Sequence, residues 1–338
     1  MISFISLCER LFWFKCIDSI NSDIVCFDFE DERIRTRVRF VNETNFLTLK
    51  SGRKLCYGDY GDPKGRPLMY FHGWPSSRLQ AFALHKLCVE KGIRLVAPDR
   101  PGMGQSEWQP DRALMDWPPL VQELAQHVGW RRFAVLGVSG GGPYAVATAA
   151  ALPEMVEQAA VVCGAPPLSR FSDRSEMMWP YRALLRIRPY ASFLIPSVLK
   201  VSHWISQYSP DEPPMSWVMK WTADADKKAL GEGDFEQVTR SFREGISAGA
   251  KGVQADGDIY SSDWELDFER IQVPVSFWHG EDDKNIPFSM VKEYVSWIPT
   301  AVMHSFPGEG HYSIIANSPS MVLESLGREI NRFAQKGG

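Results

Sequence analysis

Phe133-Ala134-Val135-Leu136-Gly137-Val138-Ser139-Gly140-Gly141-Gly142-Pro143-Tyr144-Ala145-Val146-Ala147-Thr148-Ala149-Ala150-Ala151-Leu152 is the stretch on which the fold turns. Its first six residues are an unbroken apolar run of strand length, and residues 141–152 are an Ala-rich helical pattern that stops at Pro153. Between them lies Gly137-Val138-Ser139-Gly140-Gly141, a G-x-S-x-G sequence in the strand-to-helix context that gives it mechanical meaning. The turn is so tight that side chains at its two outer glycines would collide with neighbouring backbone. Ser139 is thereby expected in a strained conformation, with its hydroxyl projecting above a sheet.

Outward from this unit, short β-branched or aromatic runs alternate with longer helical stretches, the pattern of an α/β sheet with parallel strands. Residues 37–41 and 45–49 read as opening strands and 54–60 as a hairpin-like entry. Residues 67–71 form a buried strand that ends in the sharp loop His72-Gly73-Trp74-Pro75, ahead of a helical pattern over 79–90. The strand at 93–97 closes on Asp99-Arg100-Pro101-Gly102-Met103-Gly104-Gln105-Ser106, followed by a helix at 120–128 and, after the decisive stretch, a strand at 156–163. Between residues 164 and 268 the alternation ceases. Prolines recur there and Trp and Met concentrate, which predicts a largely helical insertion. The pattern resumes with a strand at 273–278, a helix near 288–297, a strand near 301–306 and a final helix over about 319–333.

Composition bounds the function. The 338 residues are 44% hydrophobic and 23% charged, and 12 Trp, 10 Tyr and 19 Phe supply enough apolar surface to exclude a disordered chain. A net charge of −4, with 37 Lys plus Arg spread along the whole length, leaves no basic stripe for nucleic acid. Cys8, Cys16, Cys26, Cys56, Cys88 and Cys163 show neither a C-x-x-C pair nor zinc-ligand spacing. They read as reduced and buried, which suits the cytoplasm, and no metal is expected. Residues 1–20 are apolar but interrupted by Glu9, Arg10, Lys15 and Asp18, so they make neither a signal peptide nor a membrane span. They read as an amphipathic helix that packs on the body, with a membrane surface or a second copy of the chain as the alternatives.

A serine hydroxyl is a weak nucleophile at neutral pH and needs a base, which in turn needs an acid to orient it. Both appear downstream. Gly280-Glu281-Asp282-Asp283 follows the 273–278 strand, and Pro307-Gly308-Glu309-Gly310-His311 follows the last strand. The order Ser, Asp, His is the one expected when the three sit on successive strand ends of one sheet.

Over about residues 35–335 the chain resembles the α/β-hydrolase superfamily. Five motifs carry the resemblance: the His72-Gly73 loop, the Asp99-Arg100-x-Gly102-x-Gly104-x-Ser106 turn, the Ser139 elbow, the His279-Gly280-x-x-Asp283-x-x-x-Pro287 loop, and Gly310-His311. The resemblance implies a mostly parallel eight-stranded sheet flanked by helices, with a helical cap inserted after the sixth strand. Residues 1–34 would then be an N-terminal extension, 35–163 and 269–338 the core, and 164–268 the cap. It selects Asp283 over Asp282 as the acid, beside Ser139 as nucleophile and His311 as base. It takes the oxyanion donors from the backbone N–H groups of Gly140 and Trp74, since Pro75 has none to give. Gly73, Gly137 and Gly141 support these turns, and His72 and His279 buttress loops without reacting. His85, His127, His203 and His304 belong to no constellation and default to packing or surface roles.

Serine at the elbow implies acyl transfer without a cofactor. The expected substrate is a carboxylic ester of small to medium, largely apolar character, under a roof to which Met177, Met178, Trp179, Trp204, Met215, Trp217, Met219 and Trp221 would contribute. Proline iminopeptidase-like amide hydrolysis is the runner-up, although such enzymes usually carry G-G-S-W-G where this chain has Gly137-Val138-Ser139-Gly140-Gly141. Carbon–carbon bond hydrolysis shares the fold, with Asn the usual residue before the serine. A ligand-binding protein on a hydrolase scaffold is the reading from another class, and such a binder has no need of Asp283 and His311.

Overall fold

Every residue of the strand Phe133–Val138 is buried, and successive side chains enter opposite apolar clusters. Phe133 and Val135 join one and Ala134, Leu136 and Val138 the other. A strand covered on both faces has no polar side to show, which is why this segment reads as a continuous apolar run. Leu68 to Phe71 and Ala159 to Val162 divide between the clusters in the same alternation.

The computed structural model describes residues 17–18, 24–25, 41–210, 212–230 and 235–334. The central sheet comprises β1 (Asn42–Thr48), β2 (Lys54–Gly61), β3 (Arg66–Phe71), β4 (Ile93–Pro98), β5 (Phe133–Val138), β6 (Val156–Val162), β7 (Val275–Gly280) and β8 (Ala301–Phe306). Their spatial order is β1-β2-β4-β3-β5-β6-β7-β8. The β1–β2 and β2–β4 pairs are antiparallel and the rest parallel. Helices α2 (Trp117–His127), α3 (Gly142–Ala151) and α10 (Phe288–Ser296) fill one face, while α1 (His85–Glu90) and α12 (Pro319–Ala334) fill the other. Parallel strands end on a common edge, so the loops after β3, β5, β7 and β8 gather there.

Between β6 and β7 the chain is helical, with no strand among the described residues. It forms α4 (Trp179–Ala191), α5 (Ile195–Ile205), α6 (Met215–Met219), α7 (Asp224–Ala229), α8 (Phe235–Gly245) and α9 (Ala250–Ser261).

Several expectations change in detail. Residues 37–40, most of the first expected strand, lie outside the described residues, and among the described ones the opening strand is Asn42–Thr48. The helical pattern over 79–90 splits into a 3-10 segment, Arg78–Leu84, and α1. The tighter winding starts where Ser77 accepts from the Leu79 N–H, and the Gln80 side chain turns back to accept from the Gly73 N–H at 2.7 Å. The amphipathic helix expected over 1–20 lies outside the described residues except at Ile17–Asp18, which instead pair as a short antiparallel strand with Ile24–Val25. Cys56, Cys88 and Cys163 are free and buried. No helix among the described residues is long and apolar enough to cross a membrane.

Candidate active site

Ser139 stands at the first residue after β5 with φ of +52°, a left-handed conformation that costs a non-glycine residue about 1–2 kcal/mol. The glycines around it are sterically required. A Cβ at Gly137 would meet the Gly141 carbonyl and lie 2.8 Å from the Ala145 methyl, and one at Gly141 would meet the Phe71 carbonyl. The elbow therefore packs directly on the end of β3, and a Cβ at Gly73 would lie 3.6 Å from the Ser139 Cβ.

His311 reaches Ser139 from the loop after β8. Its Nε2 is 2.9 Å from Ser139 Oγ, and its Nδ1 is 2.7 Å from Asp283 Oδ2. Asp283 follows β7, and its Oδ1 accepts from the N–H groups of Asn285 and Ile286. Asp282, one residue earlier, is exposed. Burial alone would lower the His311 pKa, but the neighbouring Asp283 and Asp226 carboxylates outweigh it and raise the pKa above that of a free imidazole. Burial alone would raise Asp283; the facing His311 and the backbone donors hold it low. The neutral ring thus takes a proton at Nε2 more readily than free imidazole does, and an ionised carboxylate fixes the proton on Nδ1.

Two peptide planes beside Ser139 are pinned from behind. The Gly73 carbonyl accepts from Arg100 Nη2 at 2.8 Å and from His72 Nδ1 at 2.9 Å. In a trans peptide the N–H points opposite to the carbonyl, so the Trp74 N–H faces away from Arg100. The Ser139 carbonyl accepts from the Gly142 and Ala165 N–H groups, which turns the Gly140 N–H the other way. The Trp74 indole donates to the Val253 carbonyl at 2.9 Å, which seats its ring against α9.

His72 accepts at Nε2 from the Arg100 N–H at 3.2 Å, and burial lowers its pKa well below the usual range, so it is neutral. His279 is also lowered by burial, and its Nε2 bonds the Ile286 carbonyl at 2.8 Å. Both histidines brace loops. His85 accepts from the Gly61 N–H, and His304 stacks on Trp278.

Behind the site lies a buried polar network that no sequence motif signals. Asp256 of α9 bonds Arg100 Nε at 2.6 Å, receives the Tyr144 hydroxyl at 2.6 Å and pairs with Arg112. Burial would raise its pKa, yet the two guanidinium groups pull it down to about 2. Arg100 also donates to the His72 carbonyl at 2.5 Å, and the Tyr260 hydroxyl lies 2.8 Å from the Gly140 carbonyl. One helix of the insertion thus holds the back of both the Gly73 loop and the elbow. Only Arg100 lay inside a recognisable motif.

The expected roof differs from the structure. Trp179, Trp204, Trp217 and Trp221 are on the surface of the insertion, and Met177 packs into the core. A cavity of about 120 Å³ lies instead among Tyr70, Val138, Leu230, Val238, Tyr312 and Leu323, where α7, α8 and α12 meet the sheet. Its apolar wall includes Val138 and Tyr312, the chain neighbours of Ser139 and His311, but not Ser139, Asp283 or His311 themselves. Cys163, Asp283 and His311 bring potential ligand atoms within 4.8 Å of one another. Burial pushes the Cys163 thiol well up, and Asp283 already occupies His311 Nδ1, so a metal there would have to break the Ser139–His311–Asp283 chain.

Residues 68–323 match the model of the alpha/beta hydrolase family. The chain belongs to that family. It is 26% identical over 311 residues to the bifunctional esterase/perhydrolase DCH of Acinetobacter calcoaceticus, covering 85% of this chain and 98% of that one. It is 25% identical over 288 residues to a non-heme haloperoxidase of Rhodococcus erythropolis, covering 83% and 97%. Among solved structures, an esterase from Exiguobacterium antarcticum superposes with a TM-score of 0.61 at 18% identity, over 84% of this chain and 98% of that one.

Proposed function

We propose that this hydrolase cleaves carboxylic esters through an acyl-enzyme on Ser139. The observation that carries the reading is the hydrogen-bonded chain from Ser139 Oγ through His311 to Asp283. Ser139 attacks the ester carbonyl as His311 Nε2 takes its proton, and that proton then passes to the departing alkoxide. Water, deprotonated by the same nitrogen, releases the acid and restores the serine. The N–H groups of Trp74 and Gly140 stabilise the tetrahedral oxyanion, because their carbonyl partners across each peptide are tied down on the far side.

The substrates of this reading are esters of small to medium, largely apolar character; the apolar cavity has Val138 and Tyr312, the chain neighbours of Ser139 and His311, in its wall, but none of Ser139, His311 and Asp283. Residues 164–268 act as the cap over a core of 35–163 and 269–338, with 1–34 as an extension. Free buried thiols at Cys56, Cys88 and Cys163 suit a cytoplasmic enzyme. The similarity to the bifunctional esterase/perhydrolase of Acinetobacter calcoaceticus favours one second reading, perhydrolysis, in which hydrogen peroxide replaces water at the acyl-enzyme and the product is a peracid.

The test is a fluorophosphonate probe followed by p-nitrophenyl esters of increasing chain length, run beside proline arylamides and with or without hydrogen peroxide. Stoichiometric label on Ser139, lost in Ser139→Ala, together with ester turnover, is expected. No label at neutral pH would return the protein to the class of binders, and arylamide turnover without ester turnover would favour the peptidase alternative.

A further inference from the structure

Asp226 is buried on α7 and lies 85 residues before His311, yet its carboxylate is spent on the His311 loop. Oδ2 accepts from the His311 N–H at 3.1 Å, and Oδ1 accepts from the N–H groups of Tyr312 and Ser313 at 2.8 and 2.9 Å. A carboxylate that merely capped the following helix α11 (Ser313–Asn317) would accept from its second and third residues. Asp226 instead bonds the first residue of that helix and the two before it, so its bonds centre on the histidine and its neighbour. The fit is close from the other side as well. A Cβ at Gly310 would lie 2.5 Å from each carboxylate oxygen, and the Gly310 N–H is tied to Ser313 Oγ at 2.8 Å.

Asp283 and Ser139 orient the imidazole ring, but neither fixes the backbone that carries it. Resting on the hydrolase reading above, we infer that Asp226 is a positioning residue for His311, and that seating α7 against this loop is a condition for proton transfer at Ser139. An insertion that swung away would carry its carboxylate with it and release the base. Access to the site and assembly of the site are then coupled through one side chain.

Several groups face the His311 ring or its partner and bear on any pH readout. They are Asp283 and His279 from β7 and the loop after it, Cys163 after β6, Ser139, Tyr181 of α4, Tyr312, and Asp226 itself. Two variants of the full chain separate geometry from charge. Asp226→Asn keeps the shape, turns an amide N–H₂ or a weakened acceptor toward three backbone donors, and removes one anion. Gly310→Ala displaces the same carboxylate and keeps its charge.

The measurements are the second-order rate of Ser139 labelling by a fluorophosphonate from pH 5 to 9, kcat and KM for p-nitrophenyl acetate, and the melting temperature. Both variants are expected to slow labelling and kcat by about 10- to 100-fold with KM little changed. Only Asp226→Asn is expected to move the rising limb to lower pH, because only it removes an anion near the imidazole. Folded variants that label at the wild-type rate with an unmoved limb would overturn the inference, and if Asp226→Asn fails to fold, Gly310→Ala decides alone. A wild-type protein that does not label at Ser139 would sink the hydrolase reading instead.

Discussion

Arg100 donates from Nη2 to the carbonyl of Gly73 at 2.8 Å, and this fixes the direction of the next amide, that of Trp74. The guanidinium is itself held by Asp256 on a distant helix. Lysine cannot span Asp256 and the carbonyls of His72 and Gly73 at once, because it lacks the planar fork. Arg100→Lys should therefore lower kcat for p-nitrophenyl esters by about 100-fold while leaving KM near wild type. Equal losses in kcat and in affinity would argue for general disruption of the site.

Asp256→Asn should act on stability more than on chemistry. It leaves Arg100 and Arg112 buried with a neutral partner, a change that typically costs about 3–5 kcal/mol when one member of a buried pair is removed. Denaturant unfolding measures it. The native contribution of Asp256 is present above the unfolded carboxylate pKa of about 4 and is lost as pH falls toward about 2.

His311 links activity and stability in opposite directions. Its folded pKa is raised, so its stabilising ionisation is complete below the unfolded value of about 6.5 and is lost as pH rises through the folded value. In the proposed mechanism His311 can act as base only after that proton leaves. Ester turnover should thus rise with pH above about 6.5 while unfolding free energy declines over the same interval. In His311→Asn the decline should vanish, and a wild-type stability curve that rises there would contradict the assignment.

Ser139 has a positive φ that alanine tolerates poorly and glycine readily. Both Ser139→Ala and Ser139→Gly remove the hydroxyl and should abolish fluorophosphonate labelling. Ser139→Gly should be the more stable of the two by up to about 1 kcal/mol, since relief of backbone strain is partly offset by chain entropy. Thermal melts of the two side by side give the answer.

Leu230 and Val238 line the apolar cavity from the insertion. Val238→Trp should leave turnover of an acetate ester close to wild type and depress that of octanoate and longer esters. A uniform loss across chain lengths would remove the cavity from substrate binding.

The strands from residue 45 onward, the helical stretch between β6 and β7 and the chain order Ser139, Asp283, His311 were legible in the chain alone. These follow from local properties: apolar period, glycine at turns too tight for side chains, and motif spacing along the chain. Strand β5 appears with the bounds expected because a strand buried on both faces must be apolar throughout, and β8, a half-exposed strand at the sheet edge, keeps its expected bounds as well. Asp282 and Asp283 could not be told apart by chemistry, being adjacent carboxylates in one loop. The family resemblance singled out Asp283 by its spacing from Gly280 and Pro287, and the folded chain brings that carboxylate to His311 because the loop after β7 lies beside the loop after β8. Only the tertiary structure decided the parts of Asp226, Asp256 and Tyr260. Each is an ordinary residue of a helix with no motif around it, and each gains its role only when the insertion folds back on the strand ends. The tryptophans expected to form a packed roof are exposed instead, because composition counts apolar side chains but does not say how deeply each is covered.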